Sequence, residues 1–440
     1  MFRILYTALL YLVTPGALLW FAYRGLADPR YRRGWGQRLG WADFRRADYW
    51  LHAASVGEVQ AALPVLQALR RRHPDADILV TTVTPTGAEK LRSLLGDSVR
   101  HSYLPIDLPG AVGRFLSGVR PRAGIIMEVE LWPNLLLGAA RRGIPLYLAN
   151  ARMSERSVRR YRRLGVLTAR VLSAFTAIAA QTAADAERFR RLAPAARVTE
   201  TGNVKFDVLP PVDLEPRSRE IARLAAADRR PVWVAGSTRE GEEGLLLDAH
   251  ERLRRRFPDA VLILVPRHPE RFDGVERLCR ERAIGVRRRS AGQPVQAGDA
   301  VLLGDTMGEL QAYYAAGRVA FVGGTLVPVG GHNVLEPAAV GRAVVVGPHV
   351  ENVAAAVEML RSEAALLQVG GAAELADALA GCMAQDGHGR LRGERGAALV
   401  GANRGSVQRL LALMEPGGDA DPATGPGRPD RPRRPGAARR

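Results

Sequence analysis

The stretch YWLHAASVGEVQAALPVLQALRRRHPDADILVTTVTPTGAEKLRSLL, residues 49–95, decides the fold class of this 440-residue chain. It predicts a strand, a helix, a second strand and a second helix, at Tyr49–Ala53, Val59–Arg71, Asp77–Thr82 and Thr86–Leu95. Short apolar runs that alternate with amphipathic helices are typical of a parallel sheet with helices on both faces. The fold class is therefore α/β.

The same alternation continues along the chain and is broken once, at Leu209–Pro216. Before the break, further strands are predicted at Gly124–Met127, Pro145–Ala149, Ala177–Ala180 and Val198–Thr201. After it, strands are predicted at Pro231–Ala235, Ala260–Val265, Ala300–Leu303, Val319–Val322 and Ala343–Val346. The break, LPPVDLEP, cannot continue a helix or a central strand and reads as an interdomain linker. We therefore expect two Rossmann-like, doubly wound domains facing a cleft, at 49–208 and 217–415, with the linker at 209–216. Ligands of such sheets bind beyond the carboxyl ends of the strands.

The N-terminal region, residues 1–48, is predicted to be a membrane anchor followed by a basic arm. Ile4–Tyr23 contains 20 uncharged residues, enough for a helix to cross a bilayer core. Arginines follow this run, so the positive-inside rule leaves the body of the protein in the cytoplasm. A cleaved signal peptide is one alternative, and an interfacial helix interrupted at Pro15-Gly16 is another. At the other end, 416–440 is rich in Pro, Gly, Asp and Arg and is predicted to be disordered.

The charge balance indicates acidic partners, because 63 basic and 45 acidic residues give a net charge of +18. Nucleic acid, anionic lipid and phosphorylated small substrates all fit such a balance. Five arginines share one predicted helical face, which is either a solvated surface or a contact for anionic lipid or phosphate: Arg152, Arg156, Arg159, Arg160 and Arg163. Aromatic residues do not interleave with them in the manner of a single-strand nucleic-acid platform, which disfavours nucleic acid. Two cysteines exclude a disulfide framework, and no H-E-x-x-H or G-x-G-x-x-G motif supports a zinc hydrolase or a dinucleotide oxidoreductase.

Carboxylates and one lysine follow the strands of the first domain. Ser55-x-x-Glu58 fits a capping box at a helix N-terminus, but a glutamate in this crevice can also serve as a general base. Glu128 and Glu130 lie on one face if their strand persists, and they form either an acid/base pair or part of a loop network. Lys205 follows the last strand and is expected to face the cleft, where it is either solvated or offsets charge on a phosphate leaving group.

The second domain carries glycines and helix starts at several strand ends. These segments are Gly236–Arg239, Pro266–Pro269, Gly304–Glu309, Gly323-Gly324 and Gly330–Glu336. Helix N-termini and bare backbone amides attract anions, and a carboxylate suits a sugar hydroxyl. Together they favour a nucleotide site over ordinary turns.

Taken together, these segments resemble the bacterial 3-deoxy-D-manno-oct-2-ulosonic acid (Kdo) transferases, from the N-terminus to about Leu413. The most specific stretches are SVGE at Ser55–Glu58, TPTG at Thr84–Gly87, ELWPN at Glu130–Asn134, ANAR at Ala149–Arg152, KFD at Lys205–Asp207, VPRHPERF at Val265–Phe272, GDTMGEL at Gly304–Leu310 and GGHNVLE at Gly330–Glu336. The resemblance implies a GT-B fold, with an acceptor domain first and a CMP-Kdo domain second.

The resemblance also implies site residues and a mechanism. Glu58 corresponds to the general base, and Glu130 and Lys205 to residues that support the transition state. The implied CMP site consists of Arg267, His268, Met307, Gly308, Glu309, Asn333, Val334, Leu335 and Glu336. Family members commonly have histidine where Arg239 stands and proline where Val334 stands.

The implied activity is a metal-independent, inverting transfer of Kdo from CMP-Kdo, the donor substrate, to the lipid A precursor, lipid IVA. It needs no cofactor, and it takes place on the cytoplasmic face of the bacterial inner membrane through a single-pass or monotopic N-terminal anchor. The partners are thus CMP-Kdo, the lipid A precursor and an anionic inner-leaflet surface, without nucleic acid. A nucleotide-sugar 2-epimerase and a noncatalytic membrane-bound binding protein are the competing hypotheses.

Overall fold

The structure is a computed structural model that describes residues 2–207, 211–384 and 387–415. Within these residues the chain forms two seven-stranded sheets whose neighbouring strands are all parallel. Helices cover both faces of each sheet, as expected for doubly wound domains. The predicted tail at 416–440 and residues 208–210 of the predicted linker lie outside the described residues.

The first sheet has the strand order β3-β2-β1-β4-β5-β6-β7. Its strands are β1 (Tyr49–His52), β2 (Ile78–Thr82), β3 (Arg100–Tyr103), β4 (Ala123–Met127), β5 (Leu146–Ala151), β6 (Ala177–Ala180) and β7 (Val198–Glu200). The helices of this half are α1 (Phe2–Ala27), α2 (Trp35–Arg38), α3 (Val56–Arg72), α4 (Pro85–Leu95), α5 (Pro109–Val119), α6 (Pro133–Ala140), α7 (Glu155–Arg162), α8 (Val166–Leu172) and α9 (Ala183–Leu192), with short 3-10 turns at Pro29–Arg32, Gly96–Ser98 and Val204–Phe206. Successive strand residues alternate between two cores: Trp50 packs on one face and Leu51 on the other.

The second sheet has the strand order β10-β11-β9-β8-β12-β13-β14. Its strands are β8 (Val232–Thr238), β9 (Val261–Pro266), β10 (Gly285–Arg288), β11 (Asp299–Leu303), β12 (Val319–Val322), β13 (Ala343–Val346) and β14 (Leu366–Gln368). The helices are α10 (Leu214–Leu224), α11 (Glu243–Arg254), α12 (Phe272–Glu281), α13 (Leu310–Ala316), α14 (Leu335–Ala339), α15 (Ala354–Ser362), α16 (Ala372–Met383), α17 (His388–Asn403) and α18 (Ser406–Leu413), with 3-10 turns at Pro269–Arg271 and Arg289–Ala291.

The predicted linker is wrong in its last three residues, because α10 begins at Leu214. Pro216 occupies the third position of this helix. The first four N–H groups of a helix have no partner within it, so a proline here removes no hydrogen bond. The connection between the domains therefore ends before Leu214, three residues earlier than the sequence suggested.

The last helix, α18, packs on the first domain. The prediction that the second domain continues to residue 415 is therefore wrong for this helix. Val407, Leu410 and Leu411 are buried in the same core as Val59 and Leu66 of α3. The apolar face of α18 indicates burial, but its place in the sequence does not show against which domain. The first domain thus contains a helix from the far end of the chain.

The N-terminal helix α1 is continuous through Pro15-Gly16, so the predicted interruption is absent. The Thr14 hydroxyl donates to the Leu10 carbonyl at 2.6 Å, one turn earlier in the helix. By length and composition alone, Arg3–Ala27 is a helix that could cross a membrane.

Candidate active site

The two candidate catalytic carboxylates of the first domain follow β1 and β4, the two strands between which the strand order reverses. β1 pairs with β2 on one side and with β4 on the other. The helices that follow β1 and β4 therefore leave the sheet in opposite directions and open a crevice beyond the strand ends. Glu58 lies in the first turn of α3, and Glu130 lies in the loop between β4 and α6.

Glu58 is held at the start of α3 by local hydrogen bonds. One carboxylate oxygen accepts from the Ala54 N–H at 2.7 Å, and the other accepts from the Ser55 hydroxyl at 3.0 Å. Ser55 is the N-cap and in turn accepts from the Glu58 N–H. The structure therefore contains the predicted capping interaction, with Ala54 rather than the N-cap residue as the backbone donor.

The capping contacts do not make Glu58 an ordinary surface carboxylate, because its side chain is 9% exposed. Its pKa is raised to about 7, mainly by burial and to a smaller extent by the charges of Glu130 and Glu128, whereas the hydrogen bonds from Ala54 and Ser55 lower it. A carboxylate that titrates near neutral pH is suited to proton transfer. Glu58 thus combines a fixed position with a pKa matched to a general base.

Glu128 and Glu130 are not consecutive residues on one face of a strand, because β4 ends at Met127. Glu128 has a φ of 55°, in the left-handed region. The expectation of a persisting strand is therefore wrong. Glu130 accepts from the Trp132 indole N–H at 2.9 Å, and burial raises its pKa, with the Glu128 charge as a smaller cause. The two carboxylates still act on each other and on Glu58 through their charges.

Lys205 lies on a turn that is anchored in both domains. Val204 is buried in the core of the first domain and Phe206 in the core of the second. The next residue, Asp207, accepts from the Gly405 and Val407 N–H groups at 2.6 Å each, at the start of α18. The Lys205 side chain is exposed, and among the described residues no hydrogen bond or ion pair joins it to Glu58 or Glu130.

Asn150, of the ANAR segment, is a positioning residue that the sequence reasoning missed. It has a φ of 55° at the end of β5 and is 1% exposed. Its side-chain oxygen accepts from the Val204 N–H at 3.2 Å, which fixes the turn that carries Lys205. A polar residue at a strand end was the available signal, but 54 positions separate Asn150 from its partner.

In the second domain, Arg239 lies between two histidines. Its guanidinium donates to His268 Nε2 at 2.5 Å and to His332 Nε2 at 3.1 Å. Burial and then the Arg239 charge lower the pKa of both imidazoles, that of His332 to about 3. Because arginine only donates, both Nε2 atoms are acceptors and both rings are neutral. This gives Arg239 a place beside His268, where the resemblance left its role open.

Cations from both domains meet in the cleft. Lys90 of α4 belongs to the first domain, and its pKa is lowered by burial and then by Arg267 and Arg239 of the second domain. These positive charges, together with the two neutral histidines beside Arg239, suit an anionic ligand that bridges the domains. Lys90 could not be singled out from the sequence, because its proximity to Arg267 and Arg239 depends on the approach of the other domain.

The Asn333–Glu336 segment forms a small network at the start of α14. The Asn333 amide donates to Glu336 Oε1 at 3.1 Å, and its oxygen accepts from the Leu335 N–H. Burial raises the pKa of Glu336, opposed by Asn333 and by the Arg267 charge. Val334 and Leu335 are 0% and 3% exposed and pack in the core, so their side chains are directed away from any ligand. Only their backbone atoms are left for binding.

The Met307–Glu309 segment exposes one side chain and buries another. Met307 is 57% exposed, and Gly308 has a φ of 80°, a conformation that favours glycine. Glu309 is buried, accepts from the Thr306 hydroxyl, and lies 3.5 Å from the guanidinium groups of Arg217 and Arg289. The Glu309 carboxylate is therefore already paired within the protein.

Glu242 is a further residue that the sequence reasoning missed. Its side chain is fully buried, and its carboxylate accepts from the N–H groups of Arg239, Gly324, Thr325 and Leu326 at 2.8–3.1 Å. It thus joins the loop after β8 to the loop after β12. These two strands are neighbours at the point where the order of the second sheet reverses.

The arginine face is only partly helical, because Arg152 precedes α7 and Arg163 is its C-cap residue. All five arginines are exposed. Glu155, the one acidic residue nearby in sequence, is bound by Arg188 and Arg191 of α9 at 3.0 and 2.6 Å. It therefore does not neutralise the face.

Among the described residues, no group of three or more His, Cys, Asp or Glu side chains is arranged to hold a metal ion.

Comparison with known proteins places these features in a family. Residues 33–208 match the family model described as 3-deoxy-D-manno-octulosonic-acid transferase (kdotransferase). The chain is 38% identical to the 3-deoxy-D-manno-octulosonic acid transferase of Haemophilus influenzae over 422 residues, covering 94% of this chain and 99% of that protein. The chain belongs to the 3-deoxy-D-manno-octulosonic acid transferase family. It is an enzyme, a glycosyltransferase.

One further relative supports the family, and one solved structure supports the fold. The chain is 37% identical to the Bordetella pertussis 3-deoxy-D-manno-octulosonic acid transferase, covering 90% of this chain and 97% of that protein. In structure it resembles the UDP-GlcNAc 2-epimerase of Neisseria meningitidis, with a TM-score of 0.52, 14% identity, and coverage of 83% of this chain and 99% of the other. That likeness bears on the fold alone, which is GT-B, as expected.

Proposed function

We propose that this Kdo transferase moves Kdo from CMP-Kdo to the lipid A precursor, lipid IVA, with inversion at the anomeric carbon and with Glu58 as the general base. The observation that carries this proposal is the buried Glu58 carboxylate, whose pKa is about 7 and which lies at the crevice of the first domain. Membership of the family supports Kdo as the transferred sugar. The burial and hydrogen bonds of Glu58 support its role as the general base.

In this mechanism Glu58 takes the proton of an acceptor hydroxyl. The hydroxyl oxygen forms a bond to the anomeric carbon of Kdo while the bond between that carbon and the CMP phosphate oxygen breaks, so the electron pair leaves with CMP. The hydrogen bonds from Ala54 and Ser55 hold the carboxylate in place during the transfer. Proton removal by a positioned base contributes about 10²–10⁴-fold to rate.

The departing CMP phosphate needs positive charge, which the protein can supply without a metal or another cofactor. Arg267, Arg239 and Lys90 bring cations to the cleft from both domains. Lys205, on the turn fixed by both domains, adds a further cation whose position does not depend on a flexible loop. Preorganised charges in a water-poor site stabilise developing anions strongly. The nucleotide itself is held by residues 267–268, 307–309 and 333–336.

With lipid IVA as the acceptor, we expect the reaction to take place at the cytoplasmic face of the bacterial inner membrane. Lipid IVA is an acylated, phosphorylated glycolipid, so its acyl chains stay in the bilayer while its sugar enters the cleft. The apolar surface of α1 and the exposed arginines of α7 fit contact with lipid and phosphate, respectively.

The test is transfer from CMP-Kdo, generated in situ, to a tetraacylated lipid A precursor, with the product followed by mass spectrometry in the presence of EDTA. We expect a mass gain of one or more Kdo units that EDTA leaves unchanged, and Glu58→Gln is expected to slow it by about 10²–10⁴-fold. CMP release that does not require the acceptor would favour an epimerase instead. A well-folded, membrane-bound chain that gives no gain would overturn the proposed function.

A further inference from the structure

The helix α1 packs on α6, α8 and the Pro29–Arg32 turn, and a single stripe of it is less exposed than the rest. Its less exposed residues recur every three or four positions: Arg3, Tyr6, Thr7, Leu10, Thr14, Ala17, Leu18, Phe21 and Gly25. This is the spacing of one helical face. The rest of the circumference is exposed. The helix therefore lies along the domain and does not project from it.

The first turns of α1 are fixed to the domain by polar contacts. Arg3 Nε donates to Asn134 Oδ1 at 2.9 Å, and the Tyr6 hydroxyl donates to Asp107 Oδ2 at 2.9 Å. Asp107 is buried and also accepts from the N–H groups of Asn134 and Leu135, at the start of α6. These contacts hold the N-terminal end of α1 beside the ELWPN segment of the candidate active site.

The other end of α1 is fixed to the same domain. The Arg38 guanidinium stacks on Phe21 at 5.1 Å and on Tyr103 of β3 at 4.1 Å from the ring centres. Arg3 and Phe21 are about 27 Å apart along a helix. If α1 crossed a bilayer with the domain on the cytoplasmic side, its first turn would be about 30 Å away on the opposite face. Contacts to one domain at both ends are incompatible with that arrangement.

The outer face of α1 is apolar. Ten large apolar side chains on it are more than half exposed: Ile4, Leu5, Leu9, Tyr11, Leu12, Val13, Leu19, Trp20, Tyr23 and Leu26. An exposed apolar patch of this extent marks an interaction surface. Trp and Tyr are favoured at membrane interfaces, where an apolar ring and a polar tip are both accommodated.

A second apolar corner lies beside α1. Leu164 and Val166 are 49% and 56% exposed at the start of α8, a helix against which α1 packs. The exposed α7 arginines directly precede this corner in the chain. Apolar side chains flanked by unneutralised arginines are complementary to a bilayer surface with anionic headgroups.

We propose that α1 lies in the plane of the membrane, with its outer face and the Leu164–Val166 corner in the lipid interface and the α7 arginines at the headgroup phosphates. The occupant of this surface is an anionic phospholipid bilayer. The inference rests on the membrane contact of the proposed function and deepens it, because it selects the monotopic arrangement and adds a second contact.

The orientation is tested by labelling from either side of the membrane. The full chain, expressed in a Gram-negative host, carries a short uncharged cysteine-containing extension ahead of Met1. An impermeant maleimide is added to spheroplasts or to inside-out vesicles. The native chain gives the background from Cys279 and Cys382, which are buried. The same extension after Arg440 is the control for the cytoplasmic side.

We expect both extensions to be labelled only in inside-out vesicles. Labelling of the N-terminal extension in spheroplasts, with the C-terminal one protected, would show a spanning helix and overturn the in-plane arrangement while leaving membrane contact in place. Recovery of the chain in the soluble fraction would overturn membrane contact itself. Neither result depends on transferase activity, so failure of the proposed reaction is distinguishable.

The second contact is tested by partition of purified full-length protein onto phosphatidylglycerol-containing vesicles. Replacing both residues of the corner, Leu164→Asp with Val166→Asp, is expected to lower the partition coefficient about tenfold, because exposed charge replaces buried apolar area. Leu391→Asp changes an exposed leucine of α17 in the second domain and serves as the matched control. If the double variant partitions like the native protein, the Leu164–Val166 corner does not contact the membrane.

Discussion

The carboxylate of Glu58 accepts hydrogen bonds from Ala54 and Ser55 while burial keeps its pKa near 7. From sequence, a cap and a base could not be separated, because both require a glutamate in the first turn of the helix. In the structure one side chain makes the capping contacts and also has a pKa raised to about 7. Burial, which no local spacing reveals, distinguishes this residue from an ordinary capping glutamate.

Glu58→Gln is expected to lower kcat by about 10²–10⁴-fold without loss of folded stability at pH 8. The pKa of the folded state is raised from 4.5 to about 7, so the folded protein holds this proton more tightly than the unfolded chain. The free energy of unfolding therefore falls as pH rises through that window. Glutamine does not ionise, so the variant avoids this loss of unfolding free energy. Thermal melts of the two proteins at pH 8 compare their stability. A variant that loses activity only because it melts earlier would contradict the role as base.

The pH dependence of kcat/KM is expected to show an acidic limb near pH 7, with activity falling about tenfold per unit below it as Glu58 is protonated. Because the Glu130 charge raises the pKa of Glu58, Glu130→Gln is expected to move this limb to lower pH. Initial-rate profiles of the two proteins measure the shift. If the limb does not move, the Glu130 charge does not raise the pKa of the residue that acts as the base.

Arg239→Ala is expected to weaken CMP binding about tenfold, because it removes a cation from the cleft and frees two imidazoles. The pKa of His268, which burial and then Arg239 lower, should rise toward its ordinary value. Calorimetry with CMP and NMR titration of the histidines measure the two effects. Arg239→His, the residue common in the family, is the matched variant and should retain more of the affinity.

At the scale of elements, apolar runs predicted the central strands, but three edge strands were missed. β3 reads RHSY and β10 reads GVRR, so neither contains an apolar run, and β14 has three residues. Edge strands are exposed on one side and need fewer apolar residues. The turn at Val204–Phe206 was placed correctly after the last strand of its domain, but its insertion into two cores depends on how the domains meet.

Asp207→Asn is expected to cost about 1–2 kcal/mol of unfolding free energy, because Asp207 accepts from two N–H groups at the start of α18. It is also expected to lower kcat more than it raises KM for CMP-Kdo, since the turn with Lys205 loses its anchor. Asp213→Asn, which alters an exposed pair with Arg217, is the control and should change stability by less than about 0.5 kcal/mol. Equal effects of the two substitutions would refute the anchoring role.

At the scale of the whole molecule, the two-domain α/β architecture was predictable because each half repeats the same alternation. The crossing of α18 was not predictable, since the apolar pattern of a helix gives its buried face but not its partner. The same holds for the site. Glu58, Glu130 and Arg267 follow strands and could be named, whereas Lys90 and Asn150 owe their roles to segments far away in the sequence.

Removal of α18, by ending the chain at Asn403, is expected to destabilise the first domain even though the deletion lies at the far end of the sequence. The deletion exposes the core around Val59 and Leu66, where α18 contributes Val407, Leu410 and Leu411. Loss of large buried side chains costs about 2–5 kcal/mol each. Hydrogen exchange of α3 measures the effect. A chain ending at Glu415 is the control, and protection of α3 that is equal in both would contradict the packing.

The pairing of Asp207 with the start of α18 also limits how the enzyme can open. Asp207, where the chain leaves the first domain, bonds Gly405 and Val407, where it returns to that domain. A rotation about an axis through this pair preserves those bonds, whereas sliding or twisting would break them. We therefore expect opening to follow a single angle. Lys205, beside the axis, is expected to stay close to both halves, while Lys90 and Arg239 separate as the angle widens.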